Sequence, residues 1–401
     1  MTSHLRSPAA LMADPEVMSA TILTRDSDVA GMLSEWQALF EAVDSAAWSC
    51  HPRAFLACRE LFRRPGSTPL AVVRDGDGRL RGVMPLMRDR VWRGPKLSPR
   101  YDYDPRDLPL VRQRRRRPIP VQQLTALSSL PATLLWVGPL CRPGDRALVC
   151  DAIAGAIHGL PGWQIAVFPA HEGEEAAIWQ DAFARHDIRS RLEPLGRVVQ
   201  DLRDVAPFQE VVDRNAGKFR QNVRRARAAA GKAGLQLEVF EGAAAVAARF
   251  GTIDALARAS WKHAGRADTD VHIAYDGEQR QYFERFLAEE DAGAVPVLGV
   301  ASDPAGELVV LLMLRHGDRL TALLTFWNGR LPKCSPGLLL FGACIDWAND
   351  RGLQHIDFNA TAPWIRHLSD SRQRVCHVIA CAPRLDARAL WTAAGLVQKL
   401  R

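Results

Sequence analysis

Residues 328–358 read NGRLPKCSPGLLLFGACIDWANDRGLQHIDF, a polar loop, a helix and a short strand in succession. The apolar run from Thr321 to Trp327 just ahead of them suits a strand. Ser335 is placed to cap the helix, Pro336 suits its first turn, and Leu338, Phe341, Ile345 and Ala348 recur on one side. Gly337 leaves space where a ligand can approach the backbone, and the free amides of a helix start attract phosphate. Lys333 stands just before them. Lys333, Ser335, Gly337, Leu338 and Leu339 are therefore the expected cofactor-binding residues, although a capped helix with no ligand has the same pattern.

Upstream, residues 218–232 read KFRQNVRRARAAAGK, and between Asp213 and Glu238 there are seven Lys or Arg residues and no acid. At 100° per residue Phe219, Val223, Ala226 and Ala230 share a face. Arg220, Arg224 and Arg227 line one flank, and Lys218, Arg225 and Lys232 the other. Close like charges cost an isolated helix a few tenths of a kcal/mol per pair, roughly. A solvated basic face is one reading; a clamp on phosphate or carboxylate, for which the planar arginine fork is suited, is the other.

Outward from these two segments, the chain divides into similar halves. The first runs through helices at SEWQALFEAV and HPRAFLACRELF, a hairpin turning at Asp75-Gly76-Asp77-Gly78, then β-α-β-α-β from TLLWVGPL to RSRLEPLGRVVQDL. The second runs through the basic helix, helices at AVAARFGTIDALARASWKHAG and GEQRQYFERFLAEE, strands at AVPVLGVAS, LVVLLMLRHG and RLTALLTFWNG, and the 328–358 unit. An internal duplication of an α/β unit is expected. The expected divisions are a flexible tail at 1–20, a first lobe at 21–204 with an Arg- and Pro-rich loop insertion at 91–131, a second lobe at 205–385, and a closing helix or tail at 386–401.

Composition narrows the function classes. A 401-residue chain that is 47% hydrophobic has ample material for packed cores, and its formal charge of +7 favours anionic partners. No apolar run approaches the roughly 18 residues of a membrane span, and the N-terminus lacks a secretory signal, so a cytoplasmic location is expected. Eight dispersed cysteines without a CxxC pair suggest reduced, buried thiols and no metal site. The RQRRRRP segment invites nucleic-acid binding by counterion release, but it lacks interleaved aromatics.

The order strand, loop, Gly-bearing helix start, helix, strand resembles the cofactor-binding core of the GNAT acyltransferases. With SPGLLL, ASWKHAG, KFRQNVRRARAAAGKAG and GLQHIDFN, the chain over about 30 to 380 looks like the two-lobed branch, which holds the Fem-type aminoacyl transferases and the CelD-type acetyltransferases of cellulose biosynthesis. The resemblance implies an α/β (α+β) fold of two tandem lobes, each a mixed, mainly antiparallel sheet flanked by helices. It implies acyl-CoA, commonly acetyl-CoA, as co-substrate at the helix start, and a cleft between lobes faced by Lys218, Arg220, Arg224, Arg227, Trp261 and Lys262 as substrate-binding residues. Where that branch carries a glycine and a Tyr-Lys pair after Asp-Phe, this chain has Trp364, Arg366 and His367.

Acyl transfer needs a base near the attacking group and a donor for the carbonyl oxygen. His355, Asp357 and His367 are the candidate catalytic residues, with His355 and Asp357 on one face of a strand. The expected activity is transfer of an acyl group other than aminoacyl from acyl-CoA to an amine or hydroxyl of a small-molecule or saccharide acceptor, in polysaccharide or envelope biosynthesis. The alternatives are a Fem-like transferase using aminoacyl-tRNA and a non-catalytic scaffold of a polysaccharide assembly.

Overall fold

The computed structural model describes residues 17–43, 50–61, 68–93, 97, 119–126, 138–260, 284, 294–359 and 364–399. Thirteen strands among them form one sheet: β1 (Ser19–Leu23), β2 (Leu70–Arg74), β3 (Leu80–Arg93), β4 (Ile119–Ala126), β5 (Leu140–Cys141), β6 (Ile165–His171), β7 (Arg189–Arg203), β8 (Gln236–Glu241), β9 (Ala294–Asp303), β10 (Gly306–His316), β11 (Arg319–Trp327), β12 (His355–Asp357) and β13 (Ser371–Cys381). Their spatial order is β1-β2-β3-β4-β6-β13-β7-β12-β11-β10-β9-β8, with β5 on β3. Only β4 with β6 and β11 with β12 are parallel. From either edge the sheet runs through three antiparallel neighbours to a parallel pair, so the duplication is visible in the topology.

Two strands sit between the parallel pairs. β13 returns from the second half to lie between β6 and β7, and β7 reaches on to pair with β12. The sheet therefore passes through residue 204 without a break, and the centre is built from both halves. A strand at the middle of a sheet satisfies its backbone groups on both edges, which holds the two lobes in one register.

Helices flank this sheet: α1 (Asp26–Ala30), α2 (Leu33–Ala42), α3 (Pro52–Leu61), α4 (Arg146–His158), α5 (Glu174–Arg185), α6 (Phe208–Asp213), α7 (Gly217–Ala233), α8 (Ala243–Ala247), α9 (Phe250–Ala259), α10 (Pro336–Asp350) and α11 (Leu385–Lys399). In the second lobe Val309, Leu311 and Met313 of β10 join the core beneath α6, α7 and α10, while Val310, Leu312 and Leu314 join the core with Phe250, Ile253 and Leu256. Burial on both faces explains why β10 reads as an unbroken apolar run.

Two expectations are corrected. Ser19 and Ala20, placed in the flexible tail, pair with Arg74 and Val73 at the sheet edge. Ile119–Ala126, placed in the loop insertion, is β4: Val121 and Leu124 are buried, and the backbone joins β3 to β6. Of the TLLWVGPL run only 138–140 is described, and there the strand is the short β5. The hairpin at 75–78 forms as expected, closed by the Asp77 and Arg79 amides donating to Oδ1 of Asp75, with Gly78 at φ 78°. The helix expected at GEQRQYFERFLAEE lies outside the described residues except for Glu284.

Candidate functional site

The helix start singled out by sequence is α10, entered from β11 through a single 3-10 turn at Pro332–Cys334. Ser335 occupies the capping position but makes no side-chain capping bond, a correction to the expected role. Its backbone is left-handed, φ 43° and ψ 55°, as is that of Leu331 at φ 51°. A non-glycine residue in this region is strained. The first bond of the helix is from the Leu339 amide to the Ser335 carbonyl at 3.2 Å, so the amides of Gly337 and Leu338 lie outside the ladder. A Cβ on Gly337 would meet nothing within 4 Å, which leaves open space in front of those amides. Lys333 is exposed beside them, whereas the Leu339 side chain is buried and can offer only backbone.

The basic segment is α7, and Phe219, Val223, Ala226 and Ala230 are its buried residues. Ala226 and Ala230 pack with Cys334 and Leu339 in one small cluster, so α7 is seated against the start of α10. The small alanine side chains permit this close approach. Lys218, Arg220, Arg224, Arg225 and Lys232 are exposed and form no hydrogen bond or ion pair among the described residues. Arg227 differs: it donates to Gln209 at 2.6 Å and lies over the Phe208 ring.

Beyond α10 the chain enters β12, which pairs with β11 in parallel at Arg319–His355, Leu320–Ile356 and Thr321–Asp357. There β12 ends while β11 continues to Trp327, and the pairing of β10 with β11 shifts register between Leu312 and Met313, leaving Leu323 as the extra residue. The bulge, and the end of β12 short of the end of β11, mark a fork in the sheet past Thr321 among the described residues.

At this fork His355 and Asp357 share a face, as the strand period requires, while Ile356 points into the core under α7 and α10. The neighbouring β7 places Asp201 opposite Asp357 and Arg203 opposite His355. His355 Nε2 is 3.5 Å from Asp201 Oδ2. Burial above all, and then the Asp201 charge, push the Asp357 carboxyl up to about 6, against the pull of the Asn359 amide, Arg319 and His355. Asp357 Oδ1 accepts that Asn359 amide at 2.7 Å. A carboxyl with this affinity is ionised at neutral pH yet basic enough to take a proton.

His367, the third candidate, is elsewhere. Its ring stacks on Phe219 of α7 with centroids 4.4 Å apart, and Nδ1 is 2.9 Å from Asn215 Oδ1. Phe219 belongs to the core on the Ile356 side, so His367 stands with the opposite face from Asp357. Desolvation first, then Arg366 and Arg372, hold its pKa below the usual histidine value. Trp261 and Lys262 lie outside the described residues. Sequence reading missed Asp201, because nothing local marks an aspartate in a strand whose partner lies across the sheet.

The first lobe has the same parallel pair but a different helix start. Asp145 occupies the capping position of α4, and Arg146 bonds Glu175 at 2.7 Å, which also accepts the His171 amide at 3.0 Å. Glu175 thus occupies the arginine at this helix start, whereas the cations of α7 beside the second-lobe helix have no such partner among the described residues. No group of three His, Cys, Asp or Glu among the described residues is arranged to hold a metal. No helix of the described residues is long and apolar enough to cross a membrane.

Residues 217–363, from the first residue of α7 to beyond β12, match the family model of the acetyltransferase (GNAT) domain. No curated protein matches the chain. Among solved structures the chain is similar to FemX (TM-score 0.53, 10% identity, 86% of this chain and 95% of that one). It is also similar to L-PGS from Bacillus licheniformis (TM-score 0.50, 11% identity, 93% and 97%). A third is the C-terminal domain of a putative lysylphosphatidylglycerol synthetase from Agrobacterium fabrum (TM-score 0.51, 11% identity, 92% and 97%). At these identities the likeness to solved structures is one of fold, and the GNAT match is that of residues 217–363.

Proposed function

Because residues 217–363 are a GNAT domain, we propose that the protein transfers an acyl group from a CoA thioester to an amine or hydroxyl acceptor at the fork between β11 and β12. The observation that carries this reading is the placement of three features at one end of the sheet. They are the unladdered amides of Gly337 and Leu338, the splayed edge of β11, and the Asp357 carboxyl at the point of divergence.

In this reading the amides, with Lys333 and the free cations of α7, hold the donor's phosphates. A backbone amide at the Leu323 bulge of β11 donates to the thioester carbonyl oxygen. Asp357 accepts the proton that the acceptor loses as its nitrogen or oxygen bonds the carbonyl carbon and the carbon–sulfur bond breaks; the departing thiolate takes up a proton from water. The site mainly positions and polarises, and a loss of alignment costs rate even when every group is present. The acceptor class proposed is a saccharide or other small molecule of envelope or polysaccharide biosynthesis, and the location proposed is cytoplasmic.

Calorimetry with acetyl-CoA and a longer acyl-CoA tests the donor. Saturable binding to wild type that is lost in Gly337→Trp supports the reading, and no binding of any thioester by wild type overturns it. A second donor, an aminoacyl-tRNA, is favoured by the five cations of α7 that have no partner among the described residues and by the fold shared with FemX. Amino-acid transfer from charged tRNA in the absence of CoA thioesters would select it.

A further inference from the structure

Asp201 is not part of the matched GNAT segment, nor of the half of the chain that supplies α10 and β12. It comes from β7, the strand shared by the two lobes, and pairs directly with Asp357 on one side and Ser371 on the other. Residues directly opposite in an antiparallel pair have Cβ atoms about 4.5–5.5 Å apart and point to the same face, where like charges are destabilising. A further group looks on to the same place: Thr321, in register with Asp357 across the parallel pair, is only 8% exposed, and its hydroxyl has no partner among the described residues. Its hydroxyl is open to hydrogen-bond a group that enters beside Asp357.

The charged and titratable groups around the pair come from four strands. β12 brings His355, within 3.5 Å of Asp201, and β11 brings Arg319 opposite His355. β7 brings Arg203, whose amide donates to Asp370 at the start of β13, and β6 brings His171, which feels the Asp201 charge. None of the cations makes an ion pair with Asp357 among the described residues, whereas His355 is within salt-bridge reach of Asp201. The arrangement is asymmetric: His355 Nε2 stands 3.5 Å from Asp201, while Asp357 accepts the Asn359 amide.

We propose that Asp201 is a positioning residue of the acyl-transfer site: its carboxylate, directly opposite on β7, sets the basicity of Asp357, while the Thr321 hydroxyl orients the acceptor beside them. This rests on the transferase reading above. It makes the working site a product of both lobes, because the proton acceptor lies on β12 and the group that tunes it lies on β7. A segment cut to the matched domain would keep the helix start and lose the tuning.

Carboxyl-carbon NMR of protein labelled at aspartate tests the pairing without any substrate, over about pH 4 to about pH 8. Asp357→Asn assigns the signal. Asp201→Asn is expected to move the Asp357 midpoint down by about one pH unit, a tenfold change in its acidity constant. His355→Gln, which removes a neighbour that favours the ionised form, is expected to move it up, and it keeps the test decisive should Asp201→Asn fold poorly. The acid limb of kcat for acyl transfer should follow the NMR midpoint in each variant, with KM for the thioester within about twofold. An unmoved midpoint in both variants overturns the proposal, and so does a midpoint that moves while the kcat limb stays. A wild-type protein that transfers from no thioester overturns the transferase reading, which the titration by itself does not decide.

Discussion

Arg227 lies over the ring of Phe208, 5.3 Å from its centroid, and donates to Oε1 of Gln209 at 2.6 Å. Arg224, one turn earlier on the same flank of α7, has no partner among the described residues. Replacing Arg227 by Ala should therefore cost stability, about 0.5–1 kcal/mol in urea denaturation. Arg224→Glu should leave stability within about 0.5 kcal/mol but weaken donor binding roughly tenfold in calorimetry, with the difference shrinking at high salt. Unaltered donor affinity in Arg224→Glu would remove the cationic flank from the site.

Gly337 and Gly342 lie on the same helix and should respond oppositely to substitution. A Cβ on Gly342 would fall 2.4 Å from the Phe208 ring, whereas one on Gly337 meets nothing within 4 Å. Gly342→Ala is expected to destabilise by about 1–3 kcal/mol through overpacking. Gly337→Trp should keep the wild-type melting temperature and lose donor binding. Thermal unfolding and calorimetry on both proteins check the contrast, and normal binding by Gly337→Trp would place the donor elsewhere.

Asp357 ties activity and stability to pH in opposite senses. Its carboxyl is pushed up to about 6, so the ionised form that accepts a proton appears as pH rises through that value, and kcat should rise with it. A folded-state pKa above the unfolded one favours folding below the unfolded value and loses that contribution as pH rises through the folded value. Asp357→Asn, which can still accept the Asn359 amide, is thus expected to stabilise the fold by up to about 3 kcal/mol above pH 7 and by nothing near pH 4. Melting curves at both pH values give the answer.

His367 is expected to behave as a packing residue. Its stack on Phe219 and its bond to Asn215 predict that His367→Ala lowers stability by about 1–2 kcal/mol and leaves the acid limb of kcat where it is. A displaced limb would return it to the chemistry.

Much of the second lobe is legible in the residues themselves. The buried stripe of α7 follows from the helical period, and the shared face of His355 and Asp357 from the strand period. The start of α10 is legible to the residue, because proline and glycine punctuate it, yet the left-handed backbone of Ser335 is not: Ser335 is also a common capping residue, and only the turn entering the helix imposes its conformation. β4 was hidden by its Arg- and Pro-rich surroundings, since its apolar positions acquire meaning only between β3 and β6.

Residue order along the chain establishes the set of faces: which side of each helix and strand is apolar, where a helix begins, and which segments carry unbalanced charge. Those properties depend on neighbours a few positions away. The tertiary structure alone decided which faces meet. It set α7 against the start of α10 through Ala226, Ala230, Cys334 and Leu339, placed Asp201 opposite Asp357, and carried His367 to Phe219. Strand register and helix seating are settled by packing over the whole sheet, between residues as far apart in the chain as Asp201 and Asp357, where no local period reaches.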